Sequence, residues 1–119
     1  MNEKLSPLAL ARLAGRLALS KKGFDIKILK LEMVSSVCDY FVIVSGEADV
    51  HAKALGNAVF DGLIDAGYKP YHKEGMKDGN WILLDYIDVV VHIFLEPTRR
   101  FYALEKLWGD APVEELADE

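Results

Sequence analysis

Apolar residues recur at three- and four-residue spacing in Leu10, Leu13, Ala14 and Leu17, with Arg12 and Arg16 on the other side, predicting a first amphipathic helix. Ser6 can cap a free backbone amide and Pro7 gives up no needed hydrogen bond at the first helical position, so the helix runs from there to about Ser20, with Gly23 ending the segment. From Asp25 the period becomes two. Ile26, Ile28 and Lys30 share one face and Lys27, Leu29 and Leu31 the other, as in a strand with one well-buried face. The run from Asp39 to Gly46 is continuously aromatic and β-branched, which predicts a central strand buried on both faces.

Asp49 is expected to cap the next helix, whose stripe of Val50, Ala54, Leu55, Ala58, Val59, Gly62, Leu63 and Ala66 ends at Gly67. Tyr68 to His72 reads as a short strand, and the polar stretch from Lys73 to Asn80 as a hairpin loop. Trp81 to Tyr86 and Val89 to Leu95 are then two strands joined by a tight turn at Ile87-Asp88, hence antiparallel. Pro97 begins a last helix that should turn Phe101, Leu104, Leu107 and Trp108 toward the sheet and stop at Gly109. The order helix, two strands, helix, three strands, helix implies an α/β domain, a mixed β-sheet layered with helices.

Composition narrows the class without naming an activity. With 119 residues, 51% of them apolar and 28% charged, the chain is long enough for one hydrophobic core. Cys38 is the single cysteine, so no internal disulfide forms, and its place beside the apolar run marks it as a small buried hydrophobe. No uninterrupted apolar stretch approaches the ~18 residues of a bilayer span, and Arg12 and Arg16 break the N-terminal apolar segment, so a soluble, cytoplasmic protein is expected. The net charge is −5, and the five acids Asp110, Glu114, Glu115, Asp118 and Glu119 account for all of it. Residues 1–109 are therefore expected to form the domain and 110–119 an acidic tail. Without a basic excess, phosphate-backbone attraction has no source, and direct DNA binding is not expected.

Candidate chemistry is sparse. His51, His72 and His92 are far apart and in no metal-ligand spacing, so no metal is expected, nor any cofactor. His92 reads as a hydrogen-bonded core histidine and His51 as an exposed helix residue. Asp85 and Asp88, joined by Asp39, are the best carboxylate group for a divalent cation, and Ser45-Gly46 precedes a helix as a phosphate loop would. Solvated turn acids and a plain helix entry are the preferred account of them, because the spacing lacks a phosphate-loop pattern. Strand alternation puts Trp81, Leu83 and Asp85 on one face and Ile82, Leu84 and Tyr86 on the other. If helices cover both faces this is ordinary core; if one is bare it is an acid-rimmed anchor patch for a basic protein.

Several separated motifs in order resemble the Iojap/ribosomal silencing factor family. They are Asp39-Tyr-Phe-Val-Ile, the Glu74-Gly75 loop, Trp81-Ile-Leu-Leu-Asp-Tyr, Asp88-Val-Val-Val-His-Ile-Phe, and Phe101-Tyr-x-Leu-Glu-x-Leu-Trp-Gly-Asp110. The resemblance implies a fold distantly similar to nucleotidyltransferases without their catalytic acids, and no enzymatic activity. It implies a factor that binds the large ribosomal subunit through the intersubunit-face protein conventionally numbered fourteen and blocks joining of the small subunit, repressing translation under nutrient limitation. It also implies homodimers. Carried onto this chain, the implied contacts are Trp81, Leu83, Asp85, Tyr86 and Asp88, with Glu74, Gly75 and His51 at the rim. Where many relatives are expected to carry glycine, this chain has Ile87. A divergent nucleotide-binding protein, or a dimeric scaffold that self-associates through Trp81, remain the competing readings.

Overall fold

The structure, a computed structural model, describes residues 4–117. Its elements are α1 (Pro7–Ser20), β1 (Phe24–Lys30), β2 (Tyr40–Gly46), α2 (Asp49–Asp65), β3 (His72–Glu74), β4 (Trp81–Asp85), β5 (Val89–Leu95), α3 (Glu96–Tyr102), α4 (Leu104–Leu107) and β6 (Val113–Leu116). One six-stranded sheet has the order β3-β4-β5-β2-β1-β6. Among the described residues only β2 and β5 are parallel, since α2 carries the chain over the sheet between them; the other four pairings are antiparallel. This is the mixed α/β sheet expected from the order of periodicities.

Side-chain alternation sorts the sheet into two apolar layers. Ile26, Ile28, Val42, Val44, Ile82, Leu84, Val91 and Ile93 lie under α1 and α2, packed on Leu10, Ala14, Leu55, Val59 and Leu63. Each of these large aliphatic side chains, removed from water, contributes about 2 kcal/mol of transfer free energy. The opposite face carries Leu29, Phe41, Ile43, Val90 and Phe94, met by Leu104, Trp108 and Ala111.

Several expected boundaries differ, each for a local reason. Ser6 does cap α1, accepting from the Ala9 amide at 3.1 Å. At its far end the left-handed residue is Lys22 (φ 67°) rather than Gly23; Gly23 is needed because a Cβ there would stand 2.8 Å from Val44 Cγ1. Asp49 caps nothing: the N-cap is Ala48, and Asp49 is the first helical residue, where its charge suits the helix dipole. Residues 68–71, expected as strand, are irregular, and β3 begins only at His72.

The last helix breaks in two. Ala103 adopts a left-handed conformation (φ 48°), so α4 leaves in a new direction. Leu104 and Trp108 still reach the sheet, whereas Phe101 and Leu107 are 80% and 70% exposed. The segment read as an acidic tail supplies β6, which pairs with β1; Asp118 and Glu119 lie outside the described residues. Glu114 holds it there, accepting two 2.8 Å hydrogen bonds from Arg12 and lying 3.7 Å from Lys30. The Arg12 hydrogen bond first, and the charges of Arg12 and Lys30, outweigh burial and hold the Glu114 carboxyl below its usual range.

Candidate functional site

The second sheet face is covered over only part of its width. The chain from α4 to Ala111 lies over Leu29, Leu31 and Phe41, while β4 at the other side keeps Trp81, Leu83 and Asp85 half-buried. On the first face, Ile82 and Leu84 are fully buried. Residues paired across an antiparallel ladder share a face, so Glu74 opposite Leu83 and His72 opposite Asp85 extend this surface to the sheet edge. The result is an aromatic and aliphatic surface rimmed by Glu74 and Asp85, with Asp88 exposed at the adjoining turn.

Trp81 is held in place at this surface. Its Nε1–H donates to His92 Nδ1 at 3.1 Å, and its ring lies 4.9 Å from that of Phe94 and 4.6 Å from that of Tyr102. A groove of about 370 Å³ runs beside it, walled by Asn80, Pro97, Thr98, Phe101 and Tyr102. Accepting the indole proton requires an unprotonated Nδ1, and burial lowers the His92 pKa to about 4, so the ring is neutral near pH 7. This is a hydrogen-bonded core histidine, although its Nε2 is buried with no partner among the described residues.

The other implied contacts separate by role. Asp85 Oδ1 accepts from the Ile87 amide at 2.7 Å, shaping a turn in which Ile87 is left-handed (φ 74°). The Asp88 carbonyl accepts from the amides of Asp39 and Tyr40 at 2.9 and 3.0 Å, tying the turn to β2 and leaving the carboxylate outward. Gly75 is conformational: its φ is 83°, and a Cβ would collide with the Trp81 carbonyl oxygen at 1.9 Å. Tyr86 faces α1 and α2, opposite to Trp81, and is 9% exposed; burial pushes its hydroxyl up to about 12. His51 is half-buried rather than exposed: Nδ1 accepts from the Glu47 amide at 3.0 Å and Nε2 meets the Lys21 carbonyl at 2.9 Å. Tyr86 and His51 therefore do not share the surface of Trp81.

The competing phosphate and metal readings find different uses for their residues. Among the described residues no three His, Cys, Asp or Glu side chains converge. Ser45 is fully buried and its Oγ accepts from Arg99 Nη1 at 2.7 Å. Cys38 is buried, as expected, and burial raises its thiol to about 11, far from a reactive thiolate. Arg99 went unnoticed in the sequence. Its Nη1 also donates to the Asp25 carbonyl at 2.7 Å and its Nε to Glu105 Oε1 at 2.9 Å, although its side chain is only 8% exposed. Burial alone would raise Glu105, but the Arg99 hydrogen bond and the charges of Arg99 and Lys27 prevail and lower it. The one local signal is the sequence Arg99 to Glu105, six residues apart across the helix break; Asp25 and Ser45 come from distant strands.

Known proteins share both the sequence and the shape. Residues 4–119 match the family described as ribosomal silencing factor during starvation. The ribosomal silencing factor RsfS of Bacillus subtilis is 37% identical over 116 residues, which cover 98% of this chain and 95% of that one. The chloroplastic protein Iojap of Arabidopsis thaliana is 32% identical over 98% of this chain and 48% of its own length. A crystal structure of a Chromobacterium violaceum protein superposes with a TM-score of 0.85 at 33% identity, covering 88% of each chain. Another, from Bacillus halodurans, gives 0.79 at 32% identity over 90% of this chain and 97% of that one. On sequence and fold together, the chain belongs to the ribosomal silencing factor family that includes RsfS and Iojap.

Proposed function

We propose that this protein is a cytoplasmic translation repressor that binds the large ribosomal subunit through its intersubunit-face protein number fourteen and keeps the small subunit from joining, without catalysis. The observation that carries this reading is the uncovered half of the second sheet face, where Trp81 and Leu83 form an anchor rimmed by Glu74, Asp85 and Asp88. A fixed aromatic amid aliphatic side chains is the usual energetic centre of a protein interface, and an acidic rim complements a basic ribosomal surface. Exclusion then needs only bulk. The molecule measures 40 × 32 × 31 Å, whereas surfaces in contact approach to ~4 Å, so a copy seated on one subunit holds the other away.

The test is sedimentation of the purified protein with isolated large subunits, together with light scattering of subunit joining. Co-sedimentation and a lowered yield of joined ribosomes are expected. Unchanged joining at saturating protein would overturn the proposal. Magnesium-dependent nucleotide binding by calorimetry would instead favour the nucleotide-binding alternative.

A further inference from the structure

We propose that Arg99 is a positioning residue for the docking surface, acting on Trp81 through Tyr102; the inference rests on the ribosome-docking reading. Arg99 gathers four elements. It sits on α3 and donates to Glu105 on α4, to Ser45 at the end of β2 and to the Asp25 carbonyl in β1. Asp25 is left-handed (φ 49°) at the irregularity where β1 loses register with β2, which frees its carbonyl from the ladder. A planar guanidinium can serve acceptors in several fixed directions at once, which an ammonium cannot do. The three acceptors therefore fix the position and rotation of α3.

Tyr102 is one helical turn beyond Arg99, at the end of α3. The Ala103 amide donates to the Arg99 carbonyl at 2.8 Å, and Ala103 then turns left-handed. The Arg99–Glu105 bond spans that break and holds α4 at its angle. Tyr102 is half-exposed and touches Trp81 at 4.6 Å, so few contacts other than its helix keep it there. Trp81 has His92 and Phe94 beneath it and Tyr102 at its side. Loosening α3 releases that side and lets the indole sample orientations that do not fit a partner. A surface that must order before binding loses affinity in proportion to the fraction disordered.

The experiment compares Arg99→Met, Tyr102→Leu and the double variant by co-sedimentation with large subunits. The Trp81 indole resonance is followed by NMR, assigned with Trp108→Phe. Arg99→Met is expected to bind about fivefold or more weakly, to shift or broaden the Trp81 resonance, and to retain its far-ultraviolet circular dichroism. In the Tyr102→Leu background it should weaken binding little further. If Arg99→Met unfolds, Arg99→Lys, which keeps the charge but not the fork, is read in the same way. Full additivity with Tyr102→Leu, or an unmoved Trp81 resonance, overturns the inference. Parent protein and Trp81→Ala are run alongside. Failure of the parent to co-sediment sinks the docking reading instead, and the resonance then decides Arg99 alone.

Discussion

Ile82 and Leu83 are neighbours in one strand, yet they belong to different regimes. Ile82 lies under α1 and α2 with no exposure, while Leu83, on the reverse face, keeps contact with solvent. The first face is closed by two long helices whose apolar stripes match it. The second is closed by the short α4 and the chain to Ala111, with Tyr102 of α3 reaching no farther than Trp81. Burial is thus nearly complete on one side and left partial on the other, the side on which the docking proposal rests.

The largest effect should separate those faces. Ile82→Ala leaves a cavity in a packed layer and is expected to lower stability by about 3 kcal/mol, whereas Leu83→Ala should cost about 1 kcal/mol or less; guanidinium unfolding measures both. Equal losses would mean that the second face is as closed as the first.

Next comes the pH dependence of the buried imidazole packed against Trp81 and Phe41. His92 has a folded pKa of about 4 against an ordinary 6.5, so the unfolded chain takes the proton first as pH falls. Its contribution is fully present above about 6.5 and is lost progressively down to about 4, amounting to about 3 kcal/mol. Glu105 and Glu114, whose carboxyls are lowered, lose their contributions only at still lower pH, so the window from pH 6.5 to 4.5 isolates His92. Unfolding at those two pH values should differ strongly in the parent and little in His92→Gln.

Trp81→Ala tests the open side directly. Large-subunit affinity should fall by about 2 kcal/mol, roughly thirtyfold. A folded variant with undiminished affinity removes Trp81 from the interface and the contrast between faces loses its functional meaning. The smallest effect concerns the turn below it. Ile87 holds φ 74° with a β-branched side chain, so Ile87→Gly should raise thermal stability by about 0.5 kcal/mol, strain relief exceeding the entropy of glycine. A loss would show that the 61% exposed Ile87 side chain packs more usefully than its exposure indicates.

Much of the frame was legible along the chain because it is local. The Ser6 cap, the period-two strands, the double-sided burial of β2 and the β4–β5 hairpin follow from residue spacing that a few neighbours enforce. The break at Ala103 was hidden, since Phe101 to Trp108 carries a helical pattern throughout and a left-handed alanine costs only about 1 kcal/mol. β6 was hidden for a similar reason. Its acids look solvated until Arg12, about a hundred positions earlier, is brought beside Glu114.

The sequence by itself determined which residues share a face, because alternation and helical period are geometric properties of the backbone. It placed Trp81 with Leu83 and Asp85, and Tyr86 opposite them. Only the tertiary structure decided which face stays open and what steadies it. That choice depends on where α3, α4 and β6 come to rest: Arg99 ties α3 to Asp25, Ser45 and Glu105, and Arg12 holds β6 through Glu114. Contacts between distant segments leave no period in a sequence, since each partner alone is an ordinary surface charge or small polar residue.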